Sequence, residues 1–177
     1  MSNPYRELPP DHPYTKLIRR DRWLLDQFSK FYNGRRDGGS GVEDFIVDEF
    51  MAKQPRSVVA LILREDGWIL AVSRRGRPND LGLPGGKIDP GEIPDEAVVR
   101  ELAEETGVTL HVPEFCYERV DNSDGAVAWC YRGAWSGTPR QMEDGITVAW
   151  VKPSRLLDAN CTFREYNRGV LVALGLV

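Results

Sequence analysis

The spacing of apolar residues changes along the chain and predicts strands in some stretches and helices in others. Ser57 to Arg64 and Trp68 to Arg75 are apolar and rich in β-branched residues, and the turn residues Glu65 to Gly67 separate them. We therefore expect two strands joined by a tight turn, followed by a loop from Gly76 to Asp80. A later run, Ile146 to Val151, predicts a further strand.

A second pair of strand-like runs predicts a hairpin. Phe115 to Val120 and Ala126 to Trp135 flank residues 121–125, whose sequence DNSDG is typical of a turn. Large apolar residues alternate along the second run and should share one face of the strand, namely Val127, Trp129, Tyr131 and Trp135. Such a face favours a role in the core. The alternative is that one of the rings stacks on a nucleobase.

The stretch between these strands has the pattern of a helix. Pro94 suits the first turn of a helix and Gly107 suits the residue after its last turn, so we expect about three turns between them. At about 100° per residue, three carboxylates fall within one arc of this helix, beside an apolar face that can be buried. The carboxylates are Glu101, Glu104 and Glu105, and the apolar face is Val98, Val99, Leu102 and Thr106.

Three carboxylates on one face repel one another, and two interpretations account for them. A solvated acidic face is the ordinary one. The other is that divalent cations lie between the carboxylates, and oxygen ligands of this kind select Mg²⁺ or Mn²⁺. The preceding residues favour the second interpretation, because Leu83 to Lys87 and Pro90 to Glu92 are rich in glycine and turn residues, where backbone N–H groups can approach a phosphate.

The complete spacing of this stretch resembles the signature of the Nudix hydrolase family. The signature requires a Gly, five residues, a Glu, seven residues, then Arg-Glu, an aliphatic residue, any residue, Glu-Glu, any residue, Gly and an aliphatic residue. Every specified position is matched, at Gly86, Glu92, Arg100, Glu101, Leu102, Glu104, Glu105, Gly107 and Val108. The resemblance implies an α/β fold, a Nudix α/β/α sandwich with a mixed sheet, over residues 55–177. Residues 1–54 would precede it as a mostly helical extension.

The resemblance also implies a reaction, which is Mg²⁺-dependent hydrolysis of a nucleoside diphosphate linked to another group, with Mn²⁺ able to substitute. A nucleoside triphosphate, oxidised forms included, is the favoured substrate, giving a nucleoside monophosphate and pyrophosphate. ADP-ribose or a nucleotide sugar is the alternative. A Nudix-fold sensor without turnover is a third hypothesis, and it is disfavoured because such modules are expected to lose carboxylates that this chain retains.

Roles for individual residues follow from the same resemblance. The predicted metal ligands are Glu101, Glu104, Glu105 and Gly86, and the base that takes a proton from water is Glu104 or Glu143. The predicted phosphate contacts are Gly85, Gly86, Lys87 and either Arg74 or Arg75. Glu92 and Arg100 would support the loop and the helix through an ion pair.

The extension and the C-terminus carry weaker patterns. Helices are expected from Asp21 to Asn33 and from Val42 to about Met51, and their apolar faces need a partner to pack against. The extension would serve as structure, on the Nudix body or on a second subunit of a homodimer, or it would form a substrate lid with Arg19, Arg20 and Arg22 facing phosphate. At the other end, Thr162 to Glu165 has the pattern of a capping box that opens a final helix.

Composition and net charge limit the expected partners and the expected location of the protein. The net charge of −4 argues against a stable nucleic-acid partner, and no apolar run is long enough to span a membrane. The N-terminus lacks the apolar core of a signal peptide, so we expect a cytoplasmic enzyme with a small nucleotide as its partner. The three cysteines form no metal-binding spacing and are expected to be idle thiols, although Cys116 and Cys130 could face each other across the hairpin and form a disulfide.

Overall fold

The computed structural model describes residues 55–89, 92–120 and 126–177. The extension of residues 1–54, with its two expected helices and its boundary, lies outside the described residues. The same is true of Pro90 and Gly91 and of the turn at residues 121–125. Expectations about these segments therefore stay predictions.

The described residues form a mixed β-structure in two sheets. One sheet has four strands in the order β4-β1-β6-β5, and the other has three in the order β3-β2-β7. β1 pairs with β6 in parallel, and the other pairs are antiparallel, so the predicted mixed α/β architecture is confirmed. The strands are β1 Ser57–Ala60, β2 Ile69–Arg74, β3 Arg77–Gly82, β4 Gly85–Lys87, β5 Thr109–Val120, β6 Val127–Ser136 and β7 Val148–Val151.

The loop expected from Gly76 to Asp80 is wrong, because most of it belongs to β3. Arg74 pairs with Arg77 and Ser73 pairs with Leu81, so only two residues connect β2 to β3. Gly76 takes a φ of 71°, which turns the chain back on itself. Pairing with β2 therefore overrides the turn-like composition RPNDLG of this segment.

The predicted hairpin is confirmed in β5 and β6. Its ladder runs from the pair Thr109 and Ser136 to the pair Val120 and Val127, with two irregularities in the register. Trp129 and Tyr131 are buried, and the ring of Phe115 packs edge-on against both, with centroid distances of 5.4 and 6.2 Å. The core role expected for these two rings is therefore confirmed.

Helix α1, Pro94–Thr106, begins and ends where the sequence predicts. Its apolar face contacts β1, β4 and β5, with Val98 and Leu102 fully buried. Burial of each such side chain contributes about 1.5–3 kcal/mol. The Thr106 hydroxyl donates a hydrogen bond of 2.6 Å to the carbonyl of Leu102, and Gly107 ends the helix with a φ of 69°. This burial fixes the direction in which the carboxylate face points.

The expected capping box at Thr162 is wrong. Helix α2 covers Arg164–Ala173, its N-cap is Phe163, and that residue makes no side-chain capping bond. The hydroxyl of Thr162 instead donates to the carboxylate of Asp80, at 2.6 Å. A short 3₁₀ helix, Pro153–Leu157, precedes α2, and Asn167 joins the two by donating to the carbonyl of Leu156 at 3.1 Å.

The core beneath α2 combines residues from the helix with residues from both sheets. It contains Leu61, Ile69, Ala71, Leu81, Leu83, Cys130, Val151, Leu156, Cys161, Val170 and Leu171. Cys116, Cys130 and Cys161 are free thiols, so the disulfide considered from the sequence is absent among the described residues. The described part of the chain has no helix long and apolar enough to cross a membrane.

Candidate active site

Strand β4 and helix α1 meet through Gly85 and Glu105. The backbone N–H of Gly85 donates a hydrogen bond of 2.8 Å to Oε2 of Glu105. Gly85 has a φ of 148°, and a Cβ at this position would lie 2.1 Å from the carbonyl oxygen of Val58. Only glycine fits so close to β1, and this close approach sets where the amide of Gly85 meets the helix.

Gly86 also lets the backbone of β4 lie close to a carboxylate, that of Glu101. A Cβ on Gly86 would lie 2.6 Å from each carboxylate oxygen of Glu101. The Glu101 side chain is only 17% exposed, so β4 holds this carboxylate in a confined position. The two glycines therefore bring the backbone of β4 against two of the three predicted metal ligands.

Arg100 connects the helix to the strand. Its Nη1 lies 2.9 Å from Oε1 of Glu101 and 3.0 Å from Oε2 of Glu104, and its Nη2 donates to the carbonyl of Lys87 at 3.0 Å. A second carboxylate, Asp89, lies 3.9 Å from the same guanidinium. One cation thus compensates part of the negative charge of the cluster and ties it to β4.

Glu143 reaches the cluster from the loop before β7. That loop is joined to the β2–β3 turn, because the N–H of Gly76 donates to the carbonyl of Gly145 at 2.8 Å. Arg75, in the same turn, pairs with Glu143 at 3.2 Å. The negative charge of Glu143, like those of Glu101 and Glu104, raises the pKa of Glu105. The structure therefore places Glu143 within electrostatic reach of Glu105, although the two residues lie in separate segments of the sequence.

The protonation of Glu105 reflects this crowding. Burial raises the pKa of Glu105 to about 7, and the neighbouring charges of Glu101, Glu143 and Glu104 add to the rise. The hydrogen bond from Gly85 opposes the rise without cancelling it. A buried carboxylate among others accepts positive charge readily, since a cation would relieve both the desolvation and the repulsion.

The donor set fits a divalent metal ion. Within the described ranges, no three acidic, His or Cys side chains already converge as a metal site, and Arg100 holds the carboxylates of Glu101 and Glu104. The fit follows from the crowded carboxylate oxygens, which the absence of a Cβ at Gly86 allows to lie against the backbone of β4. Hard oxygen donors of this type suit Mg²⁺ or Mn²⁺.

The remaining predicted contacts are dispersed. The Arg74 guanidinium lies over the ring of Phe163, 5.2 Å from its centroid. Lys87 is exposed, at the end of β4. Glu92 lies two residues before α1, and its expected ion pair with Arg100 stays a prediction. Arg75 therefore contacts Glu143, whereas Arg74 contacts Phe163. The sequence placed both arginines at the end of one strand and could not show that their partners differ.

A cavity of about 350 Å³ lies beside strand β4. Gly85 and Gly86 form part of its wall. The cavity is therefore bordered by β4, the strand that also contacts Glu105 and Glu101. Its other lining residues come from β1, β5, β6 and the start of α2, and they include Arg119, Ala126, Val127, Ala128, Phe163, Glu165 and Tyr166. The sequence gives no local signal for this cavity, because its walls come from five separate segments.

Asp80 fixes the start of α2 at the edge of the cavity. Its carboxylate accepts from the backbone N–H and the hydroxyl of Thr162, at 2.7 and 2.6 Å, and lies 3.7 Å from Arg77. Burial raises the pKa of Asp80, but these hydrogen bonds and the charges of Arg74 and Arg77 outweigh burial, so the pKa stays below its ordinary value. Asp80 therefore anchors the residue next to Phe163 as a carboxylate.

Comparison with known proteins agrees with this geometry. The model of the NUDIX domain matches residues 53–170. A MutT-like protein from Streptomyces ambofaciens is 35% identical over 101 residues, 56% of this chain and 65% of that relative, so the chain spans slightly less than two thirds of its length. The CTP pyrophosphohydrolase of Escherichia coli is 32% identical over 108 residues, 56% of this chain and 78% of that protein.

A solved structure extends the match to the fold. The crystal structure of a MutT NUDIX hydrolase from Burkholderia pseudomallei superposes with a TM-score of 0.52 and 33% identity, over 70% of this chain and 98% of that one. On this evidence, the chain belongs to the Nudix hydrolase family.

Proposed function

We propose that this protein is a Mg²⁺-dependent pyrophosphohydrolase of nucleoside triphosphates, oxidised forms included, which releases a nucleoside monophosphate and pyrophosphate. One observation carries the proposal. Gly85 and Gly86 contact the carboxylate cluster and also line the cavity, so one short strand joins a place for charged phosphates to a place for an organic group. A nucleotide has the same two parts.

The metal would be held by Glu101, Glu104 and Glu105, with Gly86 beside them. Divalent cations bound there would neutralise phosphate charge and polarise the phosphorus for attack, and Mn²⁺ would substitute for Mg²⁺. The backbone of Gly85, Gly86 and Lys87 would face the phosphates. The pair of Arg75 with Glu143 lies at the same cluster, where Arg75 can exchange its carboxylate partner for a phosphate.

The chain's own carboxylates would move the proton in the reaction. A water oxygen attacks one of the two phosphorus atoms that share the α–β bridging oxygen, and its proton passes to a carboxylate. The bond from that phosphorus to the bridging oxygen breaks, which gives the monophosphate and pyrophosphate. Glu104 is the more exposed of the two candidate bases, at 54% against 41% for Glu143. Each is held by an arginine, Glu104 by Arg100 and Glu143 by Arg75, so variants at the two positions distinguish them.

The cavity supports a nucleoside at the other end of the substrate. Its volume falls within the range of about 300–1,000 Å³ that is usual for small-molecule sites. Phe163 and Tyr166 offer ring surface, and Arg119 and Glu165 offer a donor and an acceptor for polar edges of a base. The related Escherichia coli protein is named for the hydrolysis of CTP, a substrate of the same class.

Substrate selection is tested by measuring phosphate and pyrophosphate release from a panel of compounds with Mg²⁺ and with Mn²⁺. The panel contains canonical and oxidised nucleoside triphosphates, ADP-ribose, nucleotide sugars and dinucleoside polyphosphates. The proposal predicts that a triphosphate gives the highest kcat/KM and yields pyrophosphate. A preference for ADP-ribose or a sugar nucleotide would replace it with the alternative formed from the sequence.

The base is tested in the same assay with Glu104→Gln and Glu143→Gln. Glu65→Gln is the matched control, since Glu65 is an exposed carboxylate in the turn before β2. We expect about 10²-fold loss of kcat in the variant that lacks the base and little change in the control. Because Glu104 is also a proposed metal ligand, its assignment as the base requires that Glu104→Gln retain its affinity for Mn²⁺. We also propose that the substrates are cytoplasmic nucleotides. The proposed homodimer is a separate point, and sedimentation of the full chain tests it.

A further inference from the structure

An irregularity in the β5–β6 hairpin places two cysteines side by side. Phe115 pairs with Tyr131 and Tyr117 pairs with Cys130, so β5 has one residue more than β6 at this point. That extra residue is Cys116. In such a bulge two residues oppose one, which brings Cys116 and Tyr117 against Cys130.

The contacts of the two thiols confirm their proximity. Sγ of Cys116 donates to the carbonyl oxygen of Cys130 at 3.3 Å, and Sγ of Cys130 donates to the carbonyl oxygen of Tyr131 at 3.9 Å. Cys130 is fully buried, whereas Cys116 is partly accessible. The third cysteine, Cys161, is buried and its thiol donates to the carbonyl of Arg155 at 3.5 Å, so it has a different environment.

The two thiols differ in acidity in a way that suits unequal roles. The neighbouring Cys130 side chain lowers the pKa of Cys116, burial opposes this, and the charge of Arg132 adds to the lowering. The Cys116 side chain in turn raises the pKa of Cys130, and burial raises it further. Cys116 is therefore the thiol that ionises first.

We propose that Cys116 and Cys130 form a redox-sensitive pair that a peroxide converts into an intramolecular disulfide. The thiolate of Cys116 attacks one peroxide oxygen, the O–O bond breaks, and a sulfenic acid and one water (or alcohol) form. The sulfur of Cys130 then attacks the sulfenic sulfur, gives up its proton and expels hydroxide as a second water. Two thiols are oxidised to one disulfide, and one peroxide is reduced.

The position of the pair connects it to the cavity. Tyr117 follows Cys116 directly, and its ring packs edge-on against Tyr166, with centroids 5.8 Å apart. Tyr166 lines the cavity beside Gly85 and Gly86. The hydroxyl of Tyr117 lies against Gly169 of α2, where a Cβ would approach it to 2.0 Å. A crosslink at Cys116 would thus form one residue away from a side chain that supports the cavity wall.

The experiment treats the folded full chain, metal-free and without substrate, with hydrogen peroxide. The remaining thiols are then blocked, and peptides are mapped by mass spectrometry without reduction. We expect a peptide pair joined through Cys116 and Cys130, lighter by two hydrogen atoms than the separate peptides, which dithiothreitol restores. Cys161 should stay a free thiol. Sulfinic or sulfonic acid at Cys116 without any crosslink, or a crosslink only between two chains, would overturn the proposal.

Matched variants separate the roles of the two cysteines. Cys130→Ser should retain a sulfenic acid at Cys116 that dimedone labels, because the sulfur that resolves it is missing. Cys161→Ser should crosslink as the wild type does. Cys116→Ser replaces a partly accessible thiol and should fold, and it should give no disulfide at Cys130. Unchanged oxidation of Cys130 in that variant would contradict the assignment of Cys116 as the attacking thiol.

Discussion

The backbone amide of Gly85 donates a hydrogen bond of 2.8 Å to the carboxylate of Glu105, twenty residues later in the chain. This bond joins the short strand β4 to the helix that carries three carboxylates. It depends on the absence of a side chain at Gly85, since a Cβ there would approach the carbonyl oxygen of Val58 to 2.1 Å. Gly85, which directly precedes the family motif, and Glu105 within the motif therefore form one physical unit, in which the glycine allows contact and the carboxylate supplies charge.

Gly86→Ala should impair catalysis with the fold retained. The new Cβ would lie 2.6 Å from the Glu101 carboxylate, which must move because it is the flexible partner. Displacement of a metal ligand by about 1 Å is expected to lower kcat/KM about 10²-fold. Steady-state kinetics measures the effect. Gly82→Ala is the control, since its Cβ meets Phe163 at an ordinary 3.7 Å, and equal losses in the two variants would remove the proposed role of Gly86.

Arg100→Ala should weaken metal binding more than it weakens the fold. Arg100 bridges Glu101 and Glu104 and also binds the Lys87 carbonyl, so its loss frees the carboxylates to repel each other and to swing apart. Loss of such a supporting contact typically costs about 10–100-fold in metal affinity. Titration of Mn²⁺ followed by electron paramagnetic resonance measures the affinity. Wild-type affinity in Arg100→Ala would show that the guanidinium does not orient the ligands.

Asp80→Asn should destabilise the protein and loosen the start of α2. The carboxylate accepts two hydrogen bonds from Thr162 in a buried setting, with 7% of its side chain exposed. Asn retains an oxygen for the N–H of Thr162, but its amide nitrogen cannot accept the hydroxyl proton, and the negative charge that strengthens both bonds is lost. We expect the free energy of unfolding to fall by about 1–3 kcal/mol. Urea denaturation at pH 7 measures it. Thr162→Ser retains both bonds and should stay near wild type.

The same contact predicts an acid sensitivity. The folded-state pKa of Asp80 lies below its unfolded value, so the stabilisation is complete above the unfolded pKa and is lost as the pH falls through the folded pKa. The stability difference between wild type and Asp80→Asn should therefore shrink from pH 7 towards pH 3. A difference that is constant over this range would mean that the charge of Asp80 has no part in the anchoring.

The raised pKa of Glu105 predicts the opposite dependence of stability on pH in the metal-free protein. Its pKa is about 7 when folded and about 4.5 when unfolded, so the folded state holds a proton that the unfolded state has released between these values. Stability should therefore fall as the pH rises from 4.5 through 7, by roughly 2 kcal/mol from this group. Thermal unfolding in EDTA at pH 5, 6, 7 and 8 measures the slope.

Two controls isolate that effect. Glu105→Gln cannot titrate, so its stability should be less dependent on pH over the same range. Mg²⁺ should raise the unfolding temperature more at pH 8 than at pH 5, because the ion competes with the proton for the carboxylates. An equal Mg²⁺ effect at both values would place the ion away from Glu105.

Local patterns in the sequence were sufficient to predict α1 and the β5–β6 hairpin. In α1 the apolar face, Pro94 and Gly107 all indicate the same helix. The fold buries Val98, Leu102 and Thr106 as predicted, whereas Val99 is only partly buried. β3 was missed because its sequence has the composition of a turn, and its pairing with β2 is what makes it a strand. The capping box at Thr162 failed because its hydroxyl binds Asp80, 82 residues earlier, and short-range spacing contains no information about that contact.

The candidate site likewise contains some residues that local sequence patterns predict and others that they do not. Glu101, Glu104 and Glu105 share one helix, so their common face follows from helical geometry alone. Glu143 joins them only because the loop before β7 packs on the β2–β3 turn. The cavity and the Cys116 bulge depend on strand register, which neither composition nor periodicity specifies.

The central claim is that the carboxylate cluster beside Gly85 and Gly86 performs nucleotide hydrolysis. It is tested most directly by the turnover of a nucleoside triphosphate with Mg²⁺ by wild type, Glu105→Gln and the control Glu65→Gln. The account predicts product release by wild type and the control, and at least about a 10²-fold lower kcat for Glu105→Gln, with the three proteins equally folded by circular dichroism. Turnover in Glu105→Gln equal to that of wild type would contradict it.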